Sequence, residues 1–124
     1  MHVIDTVDAL FHSIDREDAA GIAALLTEDA AMTDEVSRGW IRGKSEIREF
    51  VGTTFDAVDS ITSTLSDVVV RESADHATAT FTLTQTYTLN GRRGSIVAPT
   101  SVTLERSSGN WLISVMQSSP LPDA

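Results

Sequence analysis

The chain has 124 residues, of which 41% are apolar and 22% are charged, and this composition predicts one globular domain over residues 1–124 with a single core. Its formal net charge of -9 disfavours nucleic acid and anionic membrane surfaces as partners, because both are negatively charged. The sequence has no cysteine, no signal-like apolar block and no run of the roughly 20 apolar residues that span a membrane, so we expect a cytoplasmic protein without disulfides.

The first two predicted elements are helices. Apolar side chains recur at three- and four-residue steps at Val3, Val7, Leu10 and Ile14. This stripe is typical of an amphipathic helix, here over residues 3–16. Asp18 is a suitable N-cap for a second, shorter helix. The side chains expected on its buried side are Ile22, Leu25 and Leu26.

A short strand, a loop and a third helix are predicted next. Residues 30–33 are mildly apolar and suit a short strand, whereas the segment from Asp34 to Gly43 has two glycines and mixed charge, as a loop would. Helical spacing returns between Lys44 and Val58. The apolar residues of this third helix are Ile47, Phe50, Val51 and Phe55.

Beyond Ser60 the pattern changes to β-branched residues separated by turn signals, which predicts a four-stranded antiparallel meander. Its clearest strand runs from Ala77 to Leu89, with a threonine at every even position on one face and mostly apolar residues on the other. Gln85 interrupts the apolar face, and a buried amide needs a hydrogen-bond partner, so we expect Gln85 to line a wet pocket. Pro99 lacks a ladder donor and predicts a bulge or bend in the following strand.

Several stretches resemble the SnoaL-like and ketosteroid-isomerase-like proteins of the nuclear-transport-factor-like superfamily. The matching segments are residues 25–34, Gly43 with residues 47–50, the run 90–93 followed by 96–99, and 109–111 with 118–122. The resemblance implies an α+β fold in which three N-terminal helices pack in the concave face of a curved antiparallel sheet, a cone-shaped α+β barrel. It also places Asp34 where the isomerases keep their general base.

The chain departs from the isomerases at their oxyanion hole. The positions that match the family's carbonyl-polarising tyrosine and protonated aspartate are Leu10 and Ser101. Loss of a single such donor costs about a hundred- to a thousand-fold in rate, so steroid isomerisation is not expected even with Asp34 present. Asp34 is accordingly either a catalytic base or a solvated loop aspartate.

Six further residues are candidate pocket residues, each with an ordinary structural alternative. His12 lies near the position of the isomerase tyrosine and is either a partner acid or a surface histidine. Trp40 is either a pocket lid or a dimer contact, and Ser101 faces either the pocket or the opposite surface. The remaining candidates for the pocket wall are Phe50, Phe55 and Tyr87, which would otherwise be core aromatics. We expect no metal site or cofactor, because the three histidines lack ligand spacing.

Two functions from different classes fit these observations. One is a small-molecule-binding domain, with a possible proton-transferring activity of the isomerase, cyclase or dehydratase type on an apolar carbonyl ligand. The other is a non-catalytic dimerisation or accessory module, like the kinase association domains of the same superfamily. In both cases the uncharged threonine face suggests a homodimer formed through the sheet. Residues 120–124 are predicted to be a flexible tail.

Overall fold

The structure is a computed structural model that describes residues 2–34 and 39–120. Within these ranges one sheet of six strands carries three helices on one side, so the predicted α+β class is confirmed. The helices are α1 (Val3–Asp15), α2 (Ala19–Ala23) and α3 (Lys44–Ala57). The strands are β1 (Leu26–Asp34), β2 (Gly39–Arg42), β3 (Val58–Glu72), β4 (His76–Leu89), β5 (Arg92–Ser107) and β6 (Asn110–Ser118).

Helix α1 forms as its apolar spacing predicts and turns one face toward the sheet. Its buried residues are Val3, Thr6, Val7, Leu10 and Phe11. The ring of Phe11 meets Phe81 of β4 edge to face, with 5.5 Å between the ring centroids. Asp18 caps α2 as expected, since its Oδ1 accepts a hydrogen bond from the N–H of Gly21 at 2.9 Å.

The strand order is β2-β1-β6-β5-β4-β3, and the predicted meander is confirmed in β3 to β6. The expectation of a purely antiparallel sheet is wrong, because β1 pairs with β6 in parallel. Parallel strands need a long connection between them, and the chain from Asp34 to Asn110 provides it. The sheet is therefore mixed and brings the first and last strands together.

Strand β4 shows the predicted alternation. The residues Ala77, Ala79, Phe81 and Leu83 are buried on the concave face, whereas the threonines at even positions are half-buried or exposed on the outer face. Tight turns close the last two hairpins. Asn90 and Gly91 have φ of 52° and 78°, and Ser108 and Gly109 have φ of 51° and 81°, as two-residue hairpin turns require.

Three predicted boundaries differ from the structure. Helix α2 ends at Ala23 and Leu26 already belongs to β1, so the helix is shorter and the strand longer than predicted. Residues 39–42, which were expected to form a loop, make strand β2, because Trp40 and its neighbours pair with residues 31–34 of β1. Residues 35–38 of that loop, and residues 121–124 of the predicted tail, lie outside the described residues.

The bulge predicted at Pro99 is not present, since β4 and β5 stay in register across it. The Pro99 carbonyl accepts from Ser119 N–H at 3.0 Å, so the missing proline N–H faces the side of β6. The β5–β6 register ends at Thr100 and Ser118, so Pro99 lies at the end of this ladder, where a missing donor does not interrupt the pairing. Register shifts occur elsewhere, notably between Ser66 and Val69 of β3, where Asp67 has a φ of 55°.

Among the described residues, no helix is long and apolar enough to cross a bilayer. The longest, α3, has 14 residues and exposes much of its polar surface.

Candidate functional site

An open cavity of about 290 Å³ lies between the concave face of the sheet and helices α1 and α3. Its walls come from six elements that are distant in sequence. The lining residues are Ile14, Met32, Thr33, Asp34, Phe50, Val51, Thr54, Phe55, Ile61, Leu83, Gln85, Met116 and Ser118. Most of them are apolar, so the cavity is suited to a small ligand that is mainly hydrocarbon.

A second, smaller cavity of about 50 Å³ lies deeper under α1 and α3. It shares Ile14, Met32, Val51 and Met116 with the first cavity, and these four side chains form a common wall. Two members of this wall are methionines, whose unbranched side chains adapt readily to a new shape. The apolar space available to a ligand can therefore extend inward if the methionines change rotamer.

Asp34 supplies the carboxylate of the larger cavity. It is the last residue of β1 and is paired with Gly39 of β2, so its backbone is held at the edge of the sheet. Its side chain is half-buried on a wall that also contains Phe50 and Phe55 of α3. A carboxylate held beside apolar aromatic side chains is an arrangement suited to accepting a proton from a bound ligand.

A group of hydroxyls closes one side of the cavity. The Ser118 N–H donates to Thr33 Oγ1 at 3.2 Å, which joins β6 to β1. The Thr100 hydroxyl donates to the Ala98 carbonyl at 3.0 Å, so the 3.1 Å contact between Thr100 Oγ1 and Ser118 Oγ uses the Ser118 hydrogen. The Ser118 oxygen can consequently accept, but not donate, a hydrogen bond toward the cavity.

Gln85 is held by a chain of hydrogen bonds on the opposite side. Its Nε2 donates to the Ser63 hydroxyl at 3.1 Å, and this hydroxyl lies 2.6 Å from Asp15 Oδ1. The Asp15 carboxylate also accepts the backbone N–H of Ser63 at 3.0 Å. The end of α1 is thereby joined through β3 to the cavity wall on β4.

The structure brings four of the eight predicted site residues together on the cavity wall. These are Asp34, Phe50, Phe55 and Gln85. Gln85 lies where strand alternation predicts it, on the concave face of β4, and its amide does have a polar partner. Their part in binding or catalysis stays a prediction.

The other four predicted residues do not line this cavity. His12 is exposed on α1, with Nε2 3.5 Å from an Arg16 guanidinium nitrogen. Trp40 is 46% exposed on β2, and the Arg42 guanidinium carbon lies 5.5 Å from the centroid of its ring. Ser101 is paired with Thr80 and Gln117, which places it on the outer face, because Thr80 belongs to the threonine side of β4.

Tyr87 shares the concave face with Gln85 but lies nearer the end of the sheet. Its ring covers Gly94 of β5 so closely that a Cβ at position 94 would be 2.5 Å from the ring atom Cζ. The ring therefore packs on backbone that has no side chain of its own, and Tyr87 is not among the lining residues of the cavity.

Several cavity residues were not found from the sequence. Ile14, Met32 and Met116 look like ordinary core residues in a periodic pattern, and only the three-dimensional arrangement leaves space beside them. Ser63, which holds Gln85 but does not itself line the cavity, carried a usable signal, because it is a polar residue between Ile61 and Leu65 on the alternating inner face of β3. It is the counterpart of Gln85 in the neighbouring strand, with which it is paired.

Among the described residues, no group of three or more histidine, aspartate or glutamate side chains is placed to hold a metal ion. The polar side chains that the described part of the chain contributes to the cavity are one carboxylate, one amide and three hydroxyls.

The sequence matches the model of one known protein family. A profile of the SnoaL-like domain matches residues 3–124. The chain belongs to the SnoaL-like domain family. No curated protein sequence matches this SnoaL-like domain significantly.

Solved structures share the fold of this SnoaL-like domain at low sequence identity. A proposed dehydratase of the NTF2-like family from Streptomyces avermitilis superposes with a TM-score of 0.88 at 15% identity, covering 98% of this chain and 95% of that one. A ketosteroid isomerase-like protein from Erwinia carotovora atroseptica gives 0.83 at 22%, covering 98% and 95%.

A proposed calcium/calmodulin-dependent protein kinase II association domain from Xanthomonas campestris gives a TM-score of 0.86 at 21% identity, covering 98% of this chain and 87% of that one. The three similar proteins thus have different proposed roles on one scaffold. Their likeness to the SnoaL-like domain supports the fold, whereas function has to be argued from the site.

Proposed function

We propose that this SnoaL-like domain binds a small, mainly apolar carbonyl compound in the larger cavity, and that Asp34 acts as the base that removes a proton next to the carbonyl. The observation that carries the proposal is the position of the Asp34 carboxylate on the wall of an open, mostly apolar cavity of about 290 Å³. An apolar wall excludes water and strengthens the electrostatic interactions of the carboxylate with a bound ligand.

The proposed reaction begins with the transfer of a proton from the ligand to Asp34. Asp34 accepts the proton from the carbon beside the carbonyl, and the electron pair of the broken C–H bond forms an enolate. If the ligand has a β,γ double bond, the enolate is a dienolate, and return of the proton from Asp34 to its γ-carbon isomerises the ligand. If the ligand has a β-hydroxyl instead, the enolate expels it, and the proton from Asp34 makes the leaving group water, which dehydrates the ligand. Similarity to a proposed dehydratase and to a ketosteroid isomerase-like protein supports this class of reaction.

The oxyanion donors of the isomerases have no counterpart at the predicted positions. Leu10 is on the buried face of α1 at 2% exposure, and Ser101 is on the outer face of the sheet. A ligand whose α-proton is already acidic, such as a β-dicarbonyl or a benzylic ketone, depends less on such donors. We therefore propose an activated carbonyl compound as the substrate class.

The test uses 2-tetralone, a bicyclic benzylic ketone, in D2O. Exchange of its C1 hydrogens for deuterium is followed by NMR with and without the protein. We expect the protein to accelerate exchange and Asp34→Asn to reduce that acceleration about a hundredfold or more, because the amide keeps the shape but cannot take the proton.

The matched control is Asp56→Asn, which removes an exposed carboxylate from α3 without touching the cavity wall. It should exchange 2-tetralone as fast as the native protein. Equal loss in both variants, or unchanged exchange in Asp34→Asn, would show that Asp34 is not the base. Crystallography and mass spectrometry of the protein purified from its host would then look for a ligand of another class.

A second candidate function is a non-catalytic accessory module that dimerises through the sheet. The observation that favours it is the uncharged middle of the outer face. By their register the residues there are Thr62, Thr64 and Ser66 of β3, Thr82, Thr84 and Thr86 of β4, and Ser95, Val97 and Pro99 of β5. Val97 is 39% exposed in this patch, and a structural neighbour is a proposed kinase association domain.

Sedimentation velocity of the native protein and of Val97→Lys tests the dimer. In a two-fold dimer formed through this uncharged face, the ammonium group of the new lysine would either lie near the same group of the other subunit or lose its water without gaining a partner. The variant should therefore be a monomer. Asp56→Lys on α3 adds the same side chain away from the sheet and should stay dimeric. A native monomer would exclude the module, and a dimer without 2-tetralone exchange would favour it.

A further inference from the structure

We infer that Gln85 is a specificity residue, held in one orientation by Ser63 and Asp15, and that it makes the cavity selective for ligands that carry a hydroxyl group in addition to the carbonyl. The inference rests on the proposed ligand-binding function and adds to it a second polar group of the ligand. It starts from three hydrogen bonds, which join Asp15, Ser63 and Gln85.

The orientation of the amide follows from counting hydrogens. The Ser63 hydroxyl has a single hydrogen, and its 2.6 Å contact with Asp15 Oδ1 requires that hydrogen, because a carboxylate can only accept. The Ser63 oxygen can then only accept from Gln85 at 3.1 Å. A flipped amide would place two acceptors against each other, so Nε2 and not Oε1 must face Ser63.

The carbonyl oxygen of Gln85 is consequently turned away from Ser63. Within the described residues, Gln85 Oε1 accepts no hydrogen bond. In the same part of the chain, every side-chain nitrogen or oxygen atom that is shielded from solvent has a hydrogen-bond partner. Oε1 therefore reaches solvent, and Gln85 is part of the cavity wall. One Nε2 hydrogen also remains beyond the bond to Ser63.

A fixed acceptor beside a remaining donor selects a ligand group that can both donate and accept. A hydroxyl is the smallest neutral group with this property, and the surrounding Ile61, Leu83 and Phe55 leave the amide few other partners. A ligand without the hydroxyl would displace water from the amide without replacing its hydrogen bonds, which lowers affinity.

The experiment measures dissociation constants by calorimetry for 2-tetralone and for its 5-, 6-, 7- and 8-hydroxy derivatives. The native protein should bind one hydroxy isomer about tenfold more tightly than 2-tetralone, as one additional hydrogen bond allows. In Gln85→Leu, 2-tetralone should bind more tightly, because no amide has to lose its water, and the preference should disappear.

Ser63→Ala separates positioning from folding. It leaves the amide in place but releases it to rotate, so the preference should fall to about threefold while binding of 2-tetralone is kept. Thr53→Val is the control, because it removes an exposed hydroxyl that donates to the Glu49 carbonyl of its own helix at 3.1 Å. It should keep the full preference.

The outcomes distinguish the two proposals. If 2-tetralone binds but no hydroxy isomer binds better, or if Gln85→Leu keeps the preference, the inference about Gln85 is overturned while ligand binding stands. If Ser63→Ala keeps the full tenfold preference, the amide is not oriented by Ser63 and the inference fails in that form. If the native protein binds none of the five compounds, the proposed function and the inference both fall.

Discussion

The buried hydroxyl of Thr6 donates a hydrogen bond to the backbone carbonyl of Trp111 at 3.3 Å and so joins α1 to β6 across 105 residues of sequence. Thr6 is completely buried, and the Trp111 side chain is 2% exposed. We expect Thr6→Val, which keeps the size of the side chain, to lower the free energy of unfolding by about 1 to 3 kcal/mol, because a buried carbonyl loses a donor.

Urea denaturation of the native protein and of Thr6→Val measures this loss. Thr53→Val makes the same chemical change on the exposed side of α3 and should alter the free energy of unfolding by less than about 0.5 kcal/mol. Equal stability of the two variants would mean that the bond between helix and strand contributes nothing.

The pair formed by Asp15 and Ser63 is a second stabilising contact between helix and sheet. In Asp15→Asn, one of the two acceptors becomes a donor that faces the Ser63 hydrogens. We expect a loss of about 1 to 3 kcal/mol in the free energy of unfolding, measured by urea denaturation. Asp8→Asn changes an exposed carboxylate on the same helix and should be neutral within about 0.5 kcal/mol.

The ring of Tyr87 requires a glycine beneath it. A Cβ at Gly94 would lie 2.5 Å from ring atoms, so Gly94→Val must displace the ring. We expect Gly94→Val to destabilise the native protein by about 1 to 3 kcal/mol and to have a smaller effect in a Tyr87→Ala background. A double-mutant cycle from four denaturation curves measures the difference, and strictly additive effects would show that the two residues do not interact.

Met116 separates the larger cavity from the smaller one. In Met116→Ala the two cavities should merge and leave room for a longer ligand. The affinity of a butyl-substituted 2-tetralone, divided by that of 2-tetralone itself, should therefore be about tenfold higher in the variant than in the native protein. Calorimetry measures both compounds. Met116→Leu keeps most of the volume and should bind them as the native protein does; an unchanged ratio in Met116→Ala would mean that the wall lies elsewhere.

Local sequence patterns predicted much of the fold, because the pattern of apolar and polar residues in a helix or hairpin follows from contacts between residues that are close in sequence. The stripe from Val3 to Ile14, the alternation of β4 and the Asn90-Gly91 turn each depend on contacts within one element or between adjacent ones. The parallel pairing of β1 with β6 joins residues over 80 positions apart, such as Ala31 and Val115, and no local pattern specifies it.

The candidate site was predicted only in part for a similar reason. Gln85 was found because a polar residue broke an apolar face, and Asp34 because of the family resemblance. Met32 and Met116 could not be found, since an apolar side chain beside a cavity has the same sequence pattern as one in a filled core. Tyr87 has the correct face, but its position along the strand places it over Gly94.

The parallel pairing of β1 with β6 has a consequence for the order of events during protein synthesis. Met32 and Met116 lie side by side in this pair and both form cavity wall, so a nascent chain that has emerged only as far as β5 has the Asp34 carboxylate but lacks one side of the pocket. Contacts of such long sequence separation form slowly. The cavity wall is therefore completed only after the sixth strand has left the ribosome, because a chain that ends at β5 still lacks Met116 and Ser118.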